Sequence, residues 1–388
     1  MIYAAYAKQH AEEFVVTAIT DTDPQKREIA AREYGCPVFD SYEKMLSSGV
    51  DADIIAVATQ DCDHPEHAVA CMEKGYDVLL EKPIANTLEG CAKIESTAKK
   101  YGRKAIVCHV LRFTPFYSAV KDVIDAGELG DIVTVSTSEN VGYYHQAHSF
   151  VRGPWRNSGS SSPMILAKCC HDMDLLRWLI GKKCEKAASF GNLTYFRKEN
   201  APAGCAKYCS QCPLTDCIYK AQKIYREYPW MAKYFCNDED DAAVQKALQG
   251  SQYDRCVFYS DNDVVDHQVS IFKFEGGITA SHTMTAFSSR IYREIKVHGT
   301  KAELVGNMED NFLELRVLGG DTKVIPIDVG HVTGNHGGGD SGLMHDLYLE
   351  RNGIPVKNIT YLDVSLDSHK MAFAAEKARL TEQTVDVL

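Results

Sequence analysis

Short apolar strand patterns alternate with helix patterns through residues 14–109, and no other feature of the sequence constrains the fold as strongly. Strands are predicted at residues 14–20, 52–59, 77–80 and 104–109. The helices predicted between them cover residues 24–34, 64–74 and 88–101, and each is followed by a glycine that can end it. Strands and helices alternating at this spacing predict right-handed crossovers and a doubly wound parallel sheet.

The pattern changes after residue 113. Five strands follow at short intervals, at residues 264–274, 278–287, 291–298, 302–305 and 312–317. Consecutive strands joined by short turns predict an antiparallel sheet, which we expect to be open and covered by helices on one face. A chain of 388 residues suits two domains. We therefore expect an α/β domain over residues 1–113 and an α+β domain over residues 114–388, with a cysteine-rich insertion at about 200–252.

The composition excludes several classes of protein. The formal net charge is −11 and the basic residues form no stripe, so nucleic acid is not an expected partner. No apolar run reaches the roughly 18–20 residues that a membrane helix needs. Residues 1–10 also lack the basic start and apolar core of a signal peptide. We therefore expect a cytoplasmic protein that has no membrane partner.

The beginning of the chain differs from that of a complete dinucleotide-binding domain. Such a domain opens with a strand, a glycine-rich turn and a helix, and the turn holds the pyrophosphate. Residues 1–12 already predict a helix, and the first glycine is Gly35. Asp21 ends the first predicted strand, where the acid that binds the adenosine ribose normally stands about 20 residues after the glycine loop. We expect that the first strand and glycine loop are missing, leaving two unpaired strand edges and weak NAD binding; the alternative is a divergent domain that never had the loop.

Three stretches of sequence together resemble a known family. They are VATQDCDH at residues 57–64, EKP at 81–83 and HDMD at 171–174. In this order and domain context they resemble the Gfo/Idh/MocA oxidoreductases (glucose–fructose oxidoreductase and inositol dehydrogenase type). The resemblance covers essentially the whole chain, including Arg112 and the glycine-rich turn at 336–340.

The resemblance implies a Rossmann-like domain with bound NAD, followed by a domain for substrate binding and oligomerisation. The implied activity is hydride transfer from a secondary hydroxyl of a sugar, polyol or glycoside. Asp21 favours NAD over NADP, because an acid repels a 2′-phosphate. The open face of the antiparallel sheet implies a homo-oligomer, a dimer or tetramer. Two alternatives stay open: an NAD-dependent redox glycosidase with no net redox change, and a non-catalytic sugar-binding member.

Lys82, His171, Lys168 and Asp174 are the implied catalytic residues. A lysine at the carboxyl end of a strand can hold a substrate hydroxyl and stabilise the alkoxide. The family histidine that matches His171 is the acid/base or its near neighbour, and Asp174 shares its face of a helix predicted over 164–179. Many relatives have an aspartate four residues before this histidine, whereas this chain has Ala167 there. Lys168 either supplies a different charge or reaches solvent.

The resemblance also implies a nucleotide site at the strand ends and a substrate loop over residues 143–156. The implied cofactor-binding residues are Asp21, Arg27, Ala58, Thr59, His64, Glu81, Lys82 and His109. The implied substrate-binding residues are Arg112, Tyr143, His145, His148, Trp155, His336 and Asp340. Aromatic faces and planar donors suit sugar rings, although a structural or subunit-contact role is open for each residue of the loop. The turn at 336–340 is similar to one found in NAD-dependent glycosidases.

Four cysteines in the insertion have the spacing C-x3-C-x2-C-x4-C: Cys205, Cys209, Cys212 and Cys217. Four thiolates this close in sequence suit tetrahedral zinc, and Cys236 is a further candidate. An iron–sulfur cluster is the second reading, although the spacing matches neither common ferredoxin pattern. The third interpretation is that these cysteines are free thiols that bind no metal.

Overall fold

The computed structural model describes residues 2–329 and 336–387. Its helices are α1 (Ile2–Gln9), α2 (Pro24–Tyr34), α3 (Tyr42–Ser47), α4 (His64–Glu73), α5 (Leu88–Tyr101), α6 (Pro115–Asp125), α7 (Tyr143–His145), α8 (Met164–Ala167), α9 (Cys170–Ile180), α10 (Ala221–Glu227), α11 (Asp241–Leu248), α12 (Gly339–Arg351) and α13 (Leu362–Thr381). Its strands are β1 (Ile19–Thr20), β2 (Val38–Phe39), β3 (Ile54–Val57), β4 (Asp77–Leu80), β5 (Ala105–Val107), β6 (Ile132–Asn140), β7 (Cys184–Asn192), β8 (His267–Phe274), β9 (Thr279–Thr285), β10 (Tyr292–Gly299), β11 (Ala302–Asn307), β12 (Phe312–Val317), β13 (Thr322–Val324) and β14 (Val385–Asp386). Among the described residues, no helix is both long and apolar enough to cross a bilayer.

The chain divides into two compact units. The first contains residues 1–127, 177–179 and 325–370, and the second contains residues 128–176, 180–324 and 371–388. The first unit is thus larger than the domain predicted over residues 1–113. Backbone pairing explains why a late segment joins it: Val107 N donates to Thr360 O at 2.9 Å.

The first unit carries parallel strands, as the sequence predicts, in two separate sheets. One sheet pairs β1 with β2, and the other has the order β3-β4-β5. The outer edges of β1 and β3 pair with no strand of the described residues, which agrees with the expectation of two unpaired edges. β1 spans only two residues of the strand predicted over 14–20. A strand next to a single partner has little to pair with, which accounts for its length.

Local end signals fix the helices of the first unit. The Asp23 side chain accepts hydrogen bonds from Gln25 N and Lys26 N, with Pro24 in the first turn of α2. Gly35 ends the helix in the left-handed conformation, with φ of 63°. The core beneath these elements contains Tyr6, Leu79, Ile106, Cys108, Val110, Phe113, Leu343, Met344, Leu347 and Ile359.

The second unit is built on a nine-stranded sheet with the order β13-β12-β11-β10-β6-β9-β8-β7-β14. Its pairs are antiparallel except for β6 and β9, which run parallel, so the sheet is mixed rather than purely antiparallel as predicted. Buried and exposed residues alternate along β8, because one face packs on the core and the other faces outward. The outward face exposes Phe190, Val269 and Ile271.

The helix predicted over residues 164–179 is two helices, α8 and α9, separated by a turn at Lys168 and Cys169. The single-helix prediction was therefore wrong. Ala167 and His171 do not lie one turn apart on a continuous helix. The break re-orients Lys168 relative to the HDMD stretch of α9, so spacing along one helix does not describe the relation between these residues.

Candidate active site

The carboxyl ends of the three parallel strands β3, β4 and β5 lie at one edge of their sheet, where α/β proteins bind ligands. Ala58 and Thr59 follow β3, Glu81 follows β4, and His109 lies two residues past β5. The parallel pairing therefore brings four predicted cofactor-binding residues to one sheet edge. Asp21 and Arg27 belong with the other sheet, where Asp21 follows β1.

The EKP loop, residues 81–83, is tied down at each of its members. The Tyr3 hydroxyl donates a hydrogen bond to the Glu81 carboxylate. Lys82 N donates to Glu81 Oε2 at 3.1 Å, and the Lys82–Pro83 peptide bond is cis. These contacts fix the backbone that carries the half-buried Lys82 side chain.

Two buried histidines bind the same loop. His64 Nδ1 lies 2.7 Å from Pro83 O, and since a carbonyl only accepts, Nδ1 is the donor. Ile84 N donates to His369 Nε2 at 2.9 Å, while His369 Nδ1 lies 2.8 Å from Ser365 O. His369 therefore accepts on one nitrogen and donates from the other, which requires its neutral form. The ring of His109 lies 5.5 Å from that of His369, centroid to centroid.

Two groups that keep their protons, the Cys108 thiol and the Tyr3 hydroxyl, lie near Glu81. Burial, followed by the charge of Glu81, raises the pKa of the fully buried Cys108 thiol well above its ordinary value. Burial likewise raises the pKa of Tyr3. Both groups therefore stay neutral, and Tyr3 remains a donor to the carboxylate. Neither residue is marked by a sequence motif.

Asp21 has the position and the freedom expected of a ribose-binding acid. Its Oδ1 accepts from Asp23 N at 2.8 Å, which leaves further acceptor positions on the carboxylate. Arg27 Nη1 donates to the main-chain oxygen of Asp21 at 2.7 Å rather than to the side chain. Thr59 Oγ1 lies 2.9 Å from His67 Nδ1. These residues fit the ribose of a dinucleotide, but no glycine-rich turn precedes α2.

The glycine-rich turn of the first unit packs closely on the chain after β5. A Cβ added at Gly339 would lie 2.3 Å from Val110 O, so only glycine fits there. Asp340 is buried, and its Oδ2 lies 2.9 Å from His336 Nδ1. The structure thus brings His336 and Asp340 together. Residues 330–335, which precede the turn, lie outside the described residues. The predicted substrate residue Arg112 is buried, with its guanidinium 5.3 Å from the Trp178 ring centroid.

A buried ion-pair network surrounds the HDMD stretch in the second unit. Arg293 Nη2 lies 2.5 Å from Glu139 Oε2, and Arg293 Nε lies 3.2 Å from Asp172 Oδ1. Lys168 Nζ lies 3.4 Å from Glu139 Oε1. Lys168 therefore compensates a buried carboxylate instead of reaching solvent. His171 and Asp174 are both buried on α9.

Sequence reasoning missed the neighbours that complete this network. Ligand-type atoms of Cys169, Asp172 and His282 all lie within 4.8 Å of one another. His282 Nδ1 lies 2.9 Å from Thr137 Oγ1, and burial lowers the pKa of His282. His282 therefore stays neutral beside the Arg293 guanidinium. Only the pairing of β6 with β9 brings it there, so no local sequence signal could identify it.

Residues 143–156, which were predicted to form a substrate loop, are buried over much of their length. His148 is buried, with its ring stacked on Tyr253 at 5.0 Å and its Nδ1 3.0 Å from Tyr225 Oη. Burial, followed by the charge of Arg152, lowers the pKa of His148 to about 3. His148 thus packs within the core of the insertion. The other three predicted residues, Tyr143, His145 and Trp155, are half-buried.

The four predicted metal ligands line one cavity together with a fifth cysteine, Cys256. We call these five residues the thiol pocket: Cys205, Cys209, Cys212, Cys217 and Cys256. Cys236, the further candidate, is not among the residues that line the cavity. All five thiols are free of disulfide bonds.

Two family models match the sequence. One, described as oxidoreductase family, NAD-binding Rossmann fold, covers residues 2–109. The other, described as GFO/IDH/MocA C-terminal domain, covers residues 117–305. The matches account for both halves of the chain in the order predicted from the sequence.

Curated relatives have related descriptions. YteT of Bacillus subtilis (strain 168), described as an oxidoreductase, is 25% identical over 364 residues, which cover 87% of this chain and 83% of YteT. Inositol 2-dehydrogenase 2 of Saccharopolyspora erythraea is 31% identical over 180 residues, which cover 45% of this chain and 48% of that protein.

Solved structures share the fold. WlbA dehydrogenase from Bordetella pertussis, in complex with NADH and UDP-GlcNAcA, has a TM-score of 0.70 at 17% identity, with 100% of this chain and 94% of that chain covered. Levoglucosan dehydrogenase, in complex with NADH and levoglucosan, has a TM-score of 0.73 at 17% identity, with 100% and 95% covered. Likeness at this identity establishes the architecture of both units.

Proposed function

The chain belongs to the GFO/IDH/MocA oxidoreductase family, and we propose that it oxidises a secondary hydroxyl of a sugar, polyol or glycoside with NAD. The observation that carries the proposal is the EKP loop at the carboxyl end of β4, bound by Tyr3, His64 and His369. A loop held this firmly positions the Lys82 ammonium with little freedom to lose on substrate binding. The relatives named as inositol 2-dehydrogenase and levoglucosan dehydrogenase support the substrate class.

In the proposed reaction, each predicted catalytic residue has a separate role. The Lys82 ammonium binds the substrate hydroxyl and stabilises the oxygen as its proton leaves. His171 on α9 accepts or returns a proton, a role that neutral imidazole suits near neutral pH. The Lys168 ammonium compensates the buried Glu139 carboxylate. Asp174, which is buried on α9, orients a neighbouring group or binds the substrate. NAD, when bound, supplies the hydride acceptor.

Asp21 supports NAD as the cofactor rather than NADP. The carboxylate would bind the adenosine ribose hydroxyls, and it would repel a 2′-phosphate. Arg27 Nη1 donates to the main-chain oxygen of Asp21 at 2.7 Å, which holds the guanidinium beside Asp21. Ala58, Thr59, Glu81 and His109 are the predicted cofactor-binding residues at the edge of the sheet formed by β3, β4 and β5.

Absorbance of reduced nicotinamide tests the proposal directly. The protein is mixed with NAD and a panel of sugars, polyols and their glycosides. Lys82→Met is expected to lower the rate about 100-fold or more, because the developing charge loses its partner. Lys93→Met, an exposed lysine of α5, is the matched control and should keep the wild-type rate. Equal rates for Lys82→Met and the wild type would remove Lys82 from the mechanism.

A second function has one specific observation in its favour, the His336–Asp340 pair in a glycine-rich turn. In an NAD-dependent glycosidase, transient oxidation acidifies the neighbouring C–H, and the glycosidic group is then eliminated. Cleavage of a glycoside that requires NAD but accumulates no reduced nicotinamide would favour this function. If no compound is turned over and the protein does not bind the nicotinamide cofactor, the remaining interpretation is a non-catalytic sugar-binding protein.

A further inference from the structure

Three side chains that commonly bind metals meet in the interior of the second unit. Ligand atoms of Cys169, Asp172 and His282 all lie within 4.8 Å of one another, and the three residues are 0%, 1% and 1% exposed. We call these three residues the buried triad. In a tetrahedral zinc site with bonds of about 2.0–2.3 Å, the ligand atoms lie about 3.3–3.8 Å apart. Small rotations of the side chains would therefore close the buried triad on one ion.

Two segments that are distant in sequence form the buried triad. Cys169 O accepts hydrogen bonds from Asp172 N and Met173 N, each at 3.0 Å, so Cys169 stands at the first turn of α9 and one turn before Asp172. His282 comes from β9, where it pairs with Thr137 of β6. The start of a helix favours an anionic thiolate, because the N-terminal end of the helix dipole is positive. An ion shared by the triad would fasten the first turn of α9 to β9.

The hydrogen bonds of His282 leave a lone pair on its Nε2. Thr137 Oγ1 donates to Ser281 O at 3.4 Å, so the imidazole is the donor in the 2.9 Å contact between His282 Nδ1 and Thr137 Oγ1. Histidines that bind metals commonly donate their other ring N–H in this way. Nε2 is buried, and no residue that the structure describes forms a hydrogen bond with it.

Asp172 supplies a second buried acceptor. Its Oδ1 accepts from Arg293 Nε at 3.2 Å, whereas its Oδ2 has no hydrogen-bond partner within residues 2–329 and 336–387. A buried carboxylate oxygen without a partner costs free energy. Two such acceptors beside a thiol therefore indicate that a cation or a water molecule lies between them.

The charges around the buried triad can accommodate a divalent ion. The ion-pair network contains two cations, Arg293 and Lys168. Three carboxylates face them: Glu139, Asp172 and that of the exposed Glu309, whose Oε2 accepts from Arg293 N at 2.6 Å. A divalent ion that displaced the thiol proton of the triad would neutralise the remaining negative charge. The network thus favours a cation over an anion at this position.

We propose that the buried triad binds one zinc ion through Cys169 Sγ, a carboxylate oxygen of Asp172 and His282 Nε2. Sulfur, oxygen and nitrogen in one tetrahedral set are ligands that suit zinc. Binding releases the thiol proton to solvent, and a water molecule takes the fourth position. The ion enters as the chain folds, because the site is buried. Its role is structural and independent of the activity proposed above, since it holds the turn that precedes His171.

Zinc analysis of full-length variants tests the proposal. Each protein is refolded with excess zinc and dialysed, and zinc is measured per chain. Cys169→Ser and His282→Gln should each contain one zinc fewer than the wild type. Cys170→Ser changes the adjacent buried cysteine outside the triad, so it is the matched control and should keep the wild-type content. Equal zinc in the wild type and in both triad variants would overturn the proposal.

X-ray absorption at the zinc edge decides the question on the wild type, even where a triad variant does not fold. The zinc should have nitrogen or oxygen neighbours at about 2.0–2.1 Å in addition to sulfur at about 2.3 Å. A shell of sulfur alone would place the zinc at the thiol pocket and overturn the proposal. A wild-type protein that contains no zinc after refolding would also overturn it, and would leave water as the occupant of the buried triad.

Discussion

His64 and His369 bind the backbone of the loop that carries Lys82, and their hydrogen bonds require a proton on one ring nitrogen of each. His369 accepts from Ile84 N and donates to Ser365 O. A second proton on His369 would place two donors against each other. The loop is thus held from one side by the neutral ring of His369, and Lys82 and Glu81 supply charged groups at the sheet edge.

We expect His369→Ala to lower the free energy of unfolding by about 1–3 kcal/mol, because the buried Ile84 N–H loses its acceptor. The rate of nicotinamide reduction should fall as well, since the loop is less firmly placed. Urea unfolding measures the first effect. His345→Ala is the control, because His345 is exposed and pairs with Glu13 at the surface; it should change stability by less than about 1 kcal/mol. A stability change no larger than that of the control would show that His369 does not hold the loop.

His148 makes the stability of the insertion depend on pH. Burial lowers its pKa to about 3 from 6.5, so the folded protein excludes a proton that the unfolded chain binds below pH 6.5. Stability should therefore be fully present above pH 6.5 and fall as the pH drops toward 3, by about 1.4 kcal/mol per pH unit at most. His148→Phe keeps an aromatic ring but cannot be protonated, so its urea midpoint should fall less steeply from pH 6.5 to 4.5. Parallel curves for the two proteins would contradict the assignment.

The sequence predicted the residues that form motifs and missed those that act from a distance. Lys82 and Asp21 could be found because each follows a predicted strand and matches a family pattern. His369 is far from the EKP loop in sequence, and Cys256 is 39 residues beyond Cys217, so neither has a local signal. Proximity created by folding is not encoded in spacing along the chain.

The bounds of most helices could be predicted closely from the sequence, whereas the pairing of the strands could not, because helix ends depend on local residues and strand pairing on distant ones. The ends of α2 and α5 depend on local groups, a side-chain cap before the helix and a left-handed glycine after it. The parallel pairing of β6 with β9 depends on segments more than 130 residues apart, as in the match of Thr134 with Thr279. The break between α8 and α9 likewise carries no proline or glycine that would announce it.

The packing of α12 on the chain after β5 depends on Gly339. Gly339→Ala would place a Cβ 2.3 Å from Val110 O, and backbone cannot move aside as a flexible side chain can. We expect a loss of about 1–3 kcal/mol in unfolding free energy, measured by thermal or urea unfolding. Gly159→Ala is the control, because nothing lies within 4 Å of the added Cβ and the position has no positive φ. Equal stability of the two variants would mean that α12 does not pack this closely.

The nine-stranded sheet presents an outward face with large apolar residues. Phe190, Val269 and Ile271 are 64%, 43% and 54% exposed and lie on the adjacent strands β7 and β8. Exposed apolar residues clustered on a sheet face commonly mark a protein interface. We therefore propose that this face joins copies of the chain into a homo-oligomer.

Phe190→Lys together with Ile271→Lys should shift the protein toward monomer in sedimentation velocity experiments, because like charges would face each other across a symmetric interface. The pair Lys93→Glu and Lys100→Glu, exposed on α5 of the first unit and away from this sheet, is a control for changed surface charge. An unchanged sedimentation coefficient in the apolar-face variant would exclude this surface as the interface.

The two parallel sheets of the first unit have a consequence for how the nucleotide site can be controlled. β1 and β3 each offer a row of backbone groups that no strand of the described residues pairs. An extended peptide could pair with either row and extend that sheet by one strand. Its binding would stabilise the fold in proportion to the logarithm of its concentration. The stability of the first unit, and with it the sheet edge of the nucleotide site, would then depend on the concentration of a second molecule.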